Sequence, residues 1–159
     1  MIEIKPITGT INATITVPGS KSYTNRALIT AALANGESTI TNALFSDDTK
    51  YMASGLNILG IPIEEKQDAS RFVVHGKGGI IPVNQANLFI GNAGTAMRFL
   101  TAMLTLGNGV YEIDGVIRMR QRPIQDLLDG LRQLGAGVVS KNNDGCPPVV
   151  IRGKGLNGG

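Results

Sequence analysis

Apolar and polar positions alternate along this chain in two rhythms, and the order of those rhythms predicts an α/β protein. After Pro18-Gly19, the runs Arg26-Ala27-Leu28-Ile29 and Ala31-Ala32-Leu33 place apolar residues three and four apart, the spacing of one helix face, over about 21–35 with a stop at Asn35-Gly36. Residues 38–41 then read as a strand, Ser46-Asp47-Asp48 as the capped start of a helix ending at Leu59-Gly60, and 61–65 and 71–75 as two further strands. The order then returns. Residues 88–90 form a strand, Gly91-Asn92-Ala93-Gly94 opens a helix through Leu106, and 110–113 is a strand. Pro123 starts a helix carrying Leu127, Leu128, Leu131 and Leu134 at helical spacing and stopped by Gly135, and 138–140 and 149–151 close the chain as a strand pair.

Two passes of helix, strand, helix, strand, strand therefore follow one another. Gly60 and Gly135 end equivalent helices, Arg26 and Arg98 fall at corresponding places, and Gly76-Lys77-Gly78 is matched by Gly153-Lys154-Gly155. Such self-similarity implies stacked equivalent units. The alternative is that two α/β units look alike because both obey the same packing rules. If the units are equivalent, the helix mouths at Lys21 and at Asn92 present their free amides from similar positions toward one shared ligand.

Composition narrows the ligand. At 159 residues and 42% hydrophobic content the chain can bury a core, but with 4% aromatics and no tryptophan that core is aliphatic. The net charge of +3 comes from scattered Lys and Arg, which argues against a nucleic-acid stripe and suits small acidic ligands. One cysteine, Cys146, and one histidine, His75, leave no internal disulfide and make a metal centre a poor expectation. No apolar stretch approaches membrane-spanning length and no leader pattern opens the chain, so a cytoplasmic setting without membrane attachment is expected.

Three stretches carry candidate chemistry. In Pro18-Gly19-Ser20-Lys21-Ser22-Tyr23-Thr24-Asn25-Arg26 a tight turn leads into a helix mouth with a mobile charge at Lys21, a hydroxyl at Ser22 and the planar fork of Arg26 about one and a half turns in. It lacks the Gly-Lys-Ser/Thr ending of a nucleotide P-loop. Gly91 to Leu100 supplies a second mouth, where Gly94 allows close backbone approach and Thr95 offers a hydroxyl; a glycine-rich turn with no ligand is the alternative. Asn92 either caps that helix or turns to a substrate. Arg118, Arg120 and Arg122 alternate before Pro123, so in an extended segment they share one side; the alternative is a solvated basic loop. Asp47 and Asp48 read first as helix caps and second as partners for substrate hydroxyls or for nearby basic groups. His75 reads as structural, and Cys146 has no basic neighbour to activate it.

Together these stretches resemble the enolpyruvyl transferases, and within them the 5-enolpyruvylshikimate-3-phosphate synthase family, over essentially the whole chain. The UDP-N-acetylglucosamine branch is disfavoured, because it carries Lys-Asn where this chain has Lys21-Ser22, and a reactive cysteine before the position of Arg122. The resemblance implies repeated βαβαββ units of an inside-out α/β barrel: residues 18–82 as the first unit, 83–159 as the second, and 1–17 as strands belonging to an opposite domain. It implies a third unit and that opposite domain beyond this chain, and a complementary carboxy-terminal segment as a partner. The isolated chain is expected to be catalytically silent.

The activity implied is transfer of the carboxyvinyl group of phosphoenolpyruvate to the 5-hydroxyl of shikimate 3-phosphate with release of phosphate, without a cofactor. By position, Lys21 contacts both substrates; Ser22 and Arg26 hold shikimate 3-phosphate; Asn92, the Gly94 amide and Arg122 hold phosphoenolpyruvate. Asp48, Thr95 and Arg98 stand behind them. The competing expectation is a non-catalytic phosphate or carboxylate binding module of the same ancestry. Two residues depart from the family pattern: Phe99 stands where proline is usual, and Gln121 replaces a common glutamate.

Overall fold

The computed structural model describes residues 3–4 and 6–156; Met1, Ile2, Lys5 and residues 157–159 lie outside the described residues. Among the described residues four helices and seven strands follow one another as α1 (Lys21–Leu33), β1 (Asn35–Ile40), α2 (Asp47–Ile58), β2 (Ile63–Lys66), β3 (Arg71–Lys77), β4 (Gln85–Phe89), α3 (Gly94–Leu104), β5 (Asn108–Asp114), α4 (Gln125–Gln133), β6 (Gly137–Ser140) and β7 (Val149–Lys154). Short 3₁₀ turns at Gln67–Ala69 and Met119–Gln121 interrupt this order.

The strands form two sheets, ordered β1-β3-β2 and β4-β5-β7-β6. All neighbours are antiparallel except β4 and β5, which are joined through α3 as a parallel crossover. Superposing the two orders maps β1 on β5, β3 on β7 and β2 on β6. The second sheet has one strand more, β4, and the matching place beside β1 holds no strand among the described residues. Described residues of 3–17 form no strand and are exposed, including Ile7, Ile11, Ile15 and Val17. The strands expected there are not formed among the described residues of that stretch, from which Met1, Ile2 and Lys5 are left out.

Local chemistry repeats with the topology. α2 and α4 both end at a leucine C-cap followed by a left-handed glycine, Gly60 at φ +82° and Gly135 at φ +86°. The closing bonds match as well: Ile61 N–H donates to the Leu56 carbonyl at 3.0 Å, and Ala136 N–H to the Leu131 carbonyl at 3.0 Å. Gly76 of β3 and Gly153 of β7 are a second matched pair. Each lies under the carboxy-terminal end of a helix, where a Cβ would run into the carbonyls of Ala31 and Ala34 or of Leu104 and Gly107.

The helices, not the sheets, occupy the centre. α1 packs on β1 and β3 and also on α2 and α3, while α3 packs on β5 and β7. Inward-facing strand residues Phe72, Val74, Leu88, Tyr111, Ile113, Val149 and Ile151 meet Leu28, Met52, Leu56, Met97, Leu100 and Leu128 in one continuous core. Each such side chain contributes about 1.5–3 kcal/mol when fully buried. Glu37, His75 and Glu64 cross the outer face of the first sheet, with His75 Nε2 3.1 Å from Glu64 Oε1 and Nδ1 3.7 Å from Glu37 Oε2.

Three local expectations are corrected. α3 begins at Gly94 rather than Gly91, because Gly91 sits at φ +56° and holds 91–93 in a turn outside the helix. α4 begins at Gln125, two residues after Pro123. The segment 118–122 is not extended; its 3₁₀ turn splays the three arginines to different partners. No helix among the described residues is long and apolar enough to cross a membrane.

Candidate anion-binding site

The first helix mouth is built as the sequence indicates, and the second opens three residues later than expected. At the first, Ser20 caps α1, its Oγ accepting from Tyr23 N–H at 3.4 Å, while Thr24 Oγ1 donates to the Ser20 carbonyl at 2.9 Å. Thr24 in turn accepts from Leu44 N–H at 3.0 Å, which ties the mouth of α1 to the chain entering α2. Gly19 is needed there because a Cβ would collide with the backbone of 42–44. Lys21, Ser22 and Arg26 stay exposed on the free side. Lys21 Nζ lies 3.2 Å from an Asp48 carboxylate oxygen. Asp48 is therefore the partner of a site cation, and the capping role belongs to Ser46, whose N–H donates to Thr49 Oγ1 at 2.9 Å. Ser22 bonds to Arg26 through its carbonyl, which accepts from Nη1 at 3.2 Å.

At the second mouth, Asn92 does not cap α3; Ala93 holds the N-cap position without a side-chain bond. Asn92 instead receives Arg122, whose Nη1 donates to the Asn92 carbonyl at 3.1 Å and approaches Oδ1 at 3.5 Å. The Arg122 guanidinium lies against Gly94, where a Cβ would overlap it. Gly94 thus lets a planar cation lie across the first turn of a helix, where free amides already favour anions. Arg98 braces this arrangement by donating from Nη1 to the Gly94 carbonyl at 3.2 Å and from Nη2 to the Pro123 carbonyl at 2.9 Å. Thr95 is half-buried in the same turn.

The remaining arginines of the basic run turn away. Arg120 pairs with Asp114, Nε donating to Oδ1 at 2.9 Å, and Arg118 Nη1 donates to Gln121 Oε1 at 3.3 Å. Asp114 also accepts from Gly115 N–H at 2.7 Å, so one carboxylate pins the start of the loop that delivers Arg122. The Arg120 guanidinium, helped by the Gly115 amide, holds the Asp114 carboxyl below the usual aspartate range.

The structure therefore gathers Asn92, Gly94, Arg98 and Arg122 in direct contact, and Lys21 with Asp48 and Ser22 with Arg26. No hydrogen bond or ion pair among the described residues joins the two groups. They meet through α1–α3 packing and through Phe99, whose ring centroid lies 5.8 Å from the Arg26 guanidinium carbon. Sequence reasoning missed Asp114, although an Asp-Gly pair closing a strand before a basic run was the available signal. It also missed Asn25, buried on the apolar face of α1 with neither amide atom hydrogen-bonded to the protein. Its signal was its place with Leu28 and Ala32 on one helix face. Among the described residues, no cluster of three or more His, Cys, Asp or Glu side chains is arranged to hold a metal ion.

These features define a class of protein: a repeated-unit α/β chain whose successive helix mouths carry cationic side chains. The EPSP synthase (3-phosphoshikimate 1-carboxyvinyltransferase) family model matches residues 5–159, and the chain belongs to that family. It is 51% identical over 159 residues to the 3-phosphoshikimate 1-carboxyvinyltransferase of Shewanella denitrificans and 49% identical over 158 residues to that of Trichormus variabilis. Each alignment covers 99% of this chain and 37% of the relative, so the chain spans little more than a third of their length. Among solved structures, EPSP synthase from Acinetobacter baumannii aligns with a TM-score of 0.82 at 30% identity, covering 88% of this chain and 32% of that one. The enolpyruvyl transferase NikO from Streptomyces tendae shares the fold, with a TM-score of 0.60 at 19% identity over 87% of this chain and 29% of that one.

Proposed function

We propose that this chain supplies one wall of the active site of a 3-phosphoshikimate 1-carboxyvinyltransferase. In the complete protein the carboxyvinyl group of phosphoenolpyruvate passes to the 5-hydroxyl of shikimate 3-phosphate and phosphate leaves. The observation that carries this reading is Arg122 laid on Asn92 and Gly94 at the mouth of α3, beside a second cationic mouth at Lys21 and Arg26. Two anionic substrates repel each other, and fixed cations and amides offset that repulsion while holding the reacting atoms together.

In this reading Lys21 reaches both substrates, Ser22 and Arg26 bind shikimate 3-phosphate, and Asn92, the Gly94 amide and Arg122 bind phosphoenolpyruvate. Asp48 orients Lys21, Arg98 locks Arg122 to the helix start, and Thr95 lines the turn between them. The chemistry is addition followed by elimination: the methylene carbon of the enol gains a proton, the hydroxyl oxygen attacks the neighbouring carbon and gives up its own proton, and the tetrahedral adduct expels phosphate as its methyl carbon loses a proton, which re-forms the double bond. In this reading residues 1–159 hold the substrates in the complete protein, none of them is assigned the proton transfers, and the isolated chain is expected to be catalytically silent.

Residues 18–82 and 83–159 are two successive units in this account, and 1–17 belong to an opposite domain. Support for further units comes from two open features. The edge of β1 has a place for a strand equivalent to β4, and an apolar groove of about 290 Å³ along Ile29, Leu33, Phe99, Ala102 and Leu106 faces outward. A complementary carboxy-terminal segment is the partner that fills them. Small phosphorylated acids rather than nucleic acid or membrane are the ligands, and the cytoplasm is the setting.

Titration calorimetry on the complete protein with shikimate 3-phosphate, phosphoenolpyruvate and inorganic phosphate tests the reading. Selective binding of shikimate 3-phosphate is expected. Equal weak responses to all three would favour a general phosphate or carboxylate binding module.

A further inference from the structure

Arg26 is held differently from the other cations of the site. Lys21 leans on a carboxylate, whereas Arg98 and Arg122 each make two contacts with oxygens of the α3 mouth or its flanking loop. Arg26 has one hydrogen bond, to the Ser22 carbonyl, and no acidic partner among the described residues. Its guanidinium is placed over the ring of Phe99, 5.8 Å from the centroid. Phe99 is half-buried on α3 and packs against the core, so the ring belongs to a rigid surface. A cavity of about 270 Å³, lined by Arg26, Ile29, Thr30 and Phe99, opens beside the pair.

An aromatic face and a carboxylate hold arginine in ways that differ for a ligand. The ring attracts the cation through its quadrupole without taking up its hydrogen-bond donors, so N–H groups turned away from the ring stay free. A carboxylate takes up those donors and cancels the charge. An aliphatic side chain at position 99 does neither, and the long Arg26 side chain then loses rotamer freedom only when a ligand arrives.

We propose that Phe99 is the positioning residue for Arg26, holding its guanidinium through a cation–π contact across the α1–α3 boundary so that the N–H donors turned away from the ring are pre-aimed at an anionic group of the incoming phosphorylated acid. This inference rests on the reading of the α1 mouth as the seat of the phosphorylated substrate. It also gives the departure at position 99 a physical role: the ring links the two helix mouths that no hydrogen bond joins.

A cation–π contact at a partly exposed site is worth about 0.5–1 kcal/mol, which corresponds to roughly a two- to fivefold change in affinity. The test replaces Phe99 in the complete protein by phenylalanines carrying one, two and three ring fluorines, which weaken the quadrupole with little change of shape, and by leucine and tyrosine. Calorimetry with shikimate 3-phosphate should show affinity falling stepwise with fluorination, by about two- to fivefold at Phe99→Leu, and being retained in Phe99→Tyr. Affinity that is flat across the fluorinated series overturns the proposal, even if Phe99→Leu binds poorly, because ring shape alone would then suffice.

NMR of the Arg26 side chain in the ligand-free protein separates this failure from failure of the functional reading. The Arg26 δ-methylene protons should be shifted upfield by the ring current and relax toward ordinary values in Phe99→Leu. Unchanged shifts refute the contact whether or not any phosphorylated acid binds. Upfield shifts in a protein that ignores shikimate 3-phosphate overturn the positioning role together with the substrate reading.

Discussion

Replacing Arg98 by methionine removes the strap between α3 and the loop that carries Arg122 while keeping most of the side-chain volume. The strap is two hydrogen bonds from a charged donor, at 3.2 Å to the Gly94 carbonyl and 2.9 Å to the Pro123 carbonyl. Bonds to a charged group are worth about 1.5–3 kcal/mol each when dry, but the Pro123 end is exposed and Arg98 only half-buried, so about 1–2 kcal/mol in total is the reasonable loss. The lost energy falls on the segment 115–124, because Arg98 holds the residue next to Arg122. With that loop released, Arg122 must be ordered at each binding event, and affinity for phosphoenolpyruvate should drop about 5- to 30-fold. Steady-state kinetics of the complete protein would register this as a raised KM for phosphoenolpyruvate with a smaller change for shikimate 3-phosphate. Amide exchange should quicken at 115–122 and not at the α1 mouth. An unchanged KM with unchanged exchange would show that the loop holds Arg122 without Arg98.

Further outcomes test the fold and the loop anchor. Gly153→Ala would set a Cβ 2.6 Å from the Leu104 carbonyl oxygen and 2.7 Å from that of Gly107, forcing β7 and α3 apart, so a loss of about 1–3 kcal/mol is expected in denaturant titration. Gly130→Ala is the opposite control: nothing lies within 4 Å of its Cβ and the residue is inside α4, so stability should rise by about 0.5–1 kcal/mol. Equal midpoints for the two variants would contradict the packing described. The Asp114 carboxyl titrates below its ordinary value of 3.8 when folded, so its contribution is complete above that pH and lost as pH falls through the depressed value. Acid titration followed by the 115–122 resonances should show the loop opening in that window in the wild type, and Asp114→Asn should lack that step; identical acid profiles would rule out Asp114 as the anchor.

How much of this was legible in the sequence depends on the range of the signal. Helix stops at Gly60 and Gly135, the Gly-Lys pairs at 76–77 and 153–154, and the apolar spacing of α1 and α4 are local, and they placed the two glycine helix stops and the mouth of α1 where the structure has them. Lys21, Arg26, Asn92 and Gly94 could be placed at or beside helix mouths from sequence because a mouth is itself a local object. The errors lie where a distant contact decides. Alternating arginines suggested one cationic side, but Asp114, on the preceding strand, captures Arg120 and leaves Arg122 to the α3 mouth. The start of α3 was set three residues early because nothing in Gly91-Asn92-Ala93 announces that Gly91 adopts a left-handed conformation. Phe99 was visible only as a departure at its position, since its partner Arg26 lies on another helix. Asp48 was read first as a cap because its charge partner, Lys21, lies at the mouth of a different helix.

The account stands most directly on phosphate release by the complete protein from phosphoenolpyruvate and shikimate 3-phosphate, measured alongside its Lys21→Met variant. Lys21 is the one cation assigned to both substrates, and its ammonium is already held at the mouth of α1 by Asp48. Turnover that requires both substrates and collapses in Lys21→Met is the predicted result. Absence of phosphate release from the complete protein, or release undiminished in the variant, would contradict the assignment of these helix mouths to carboxyvinyl transfer.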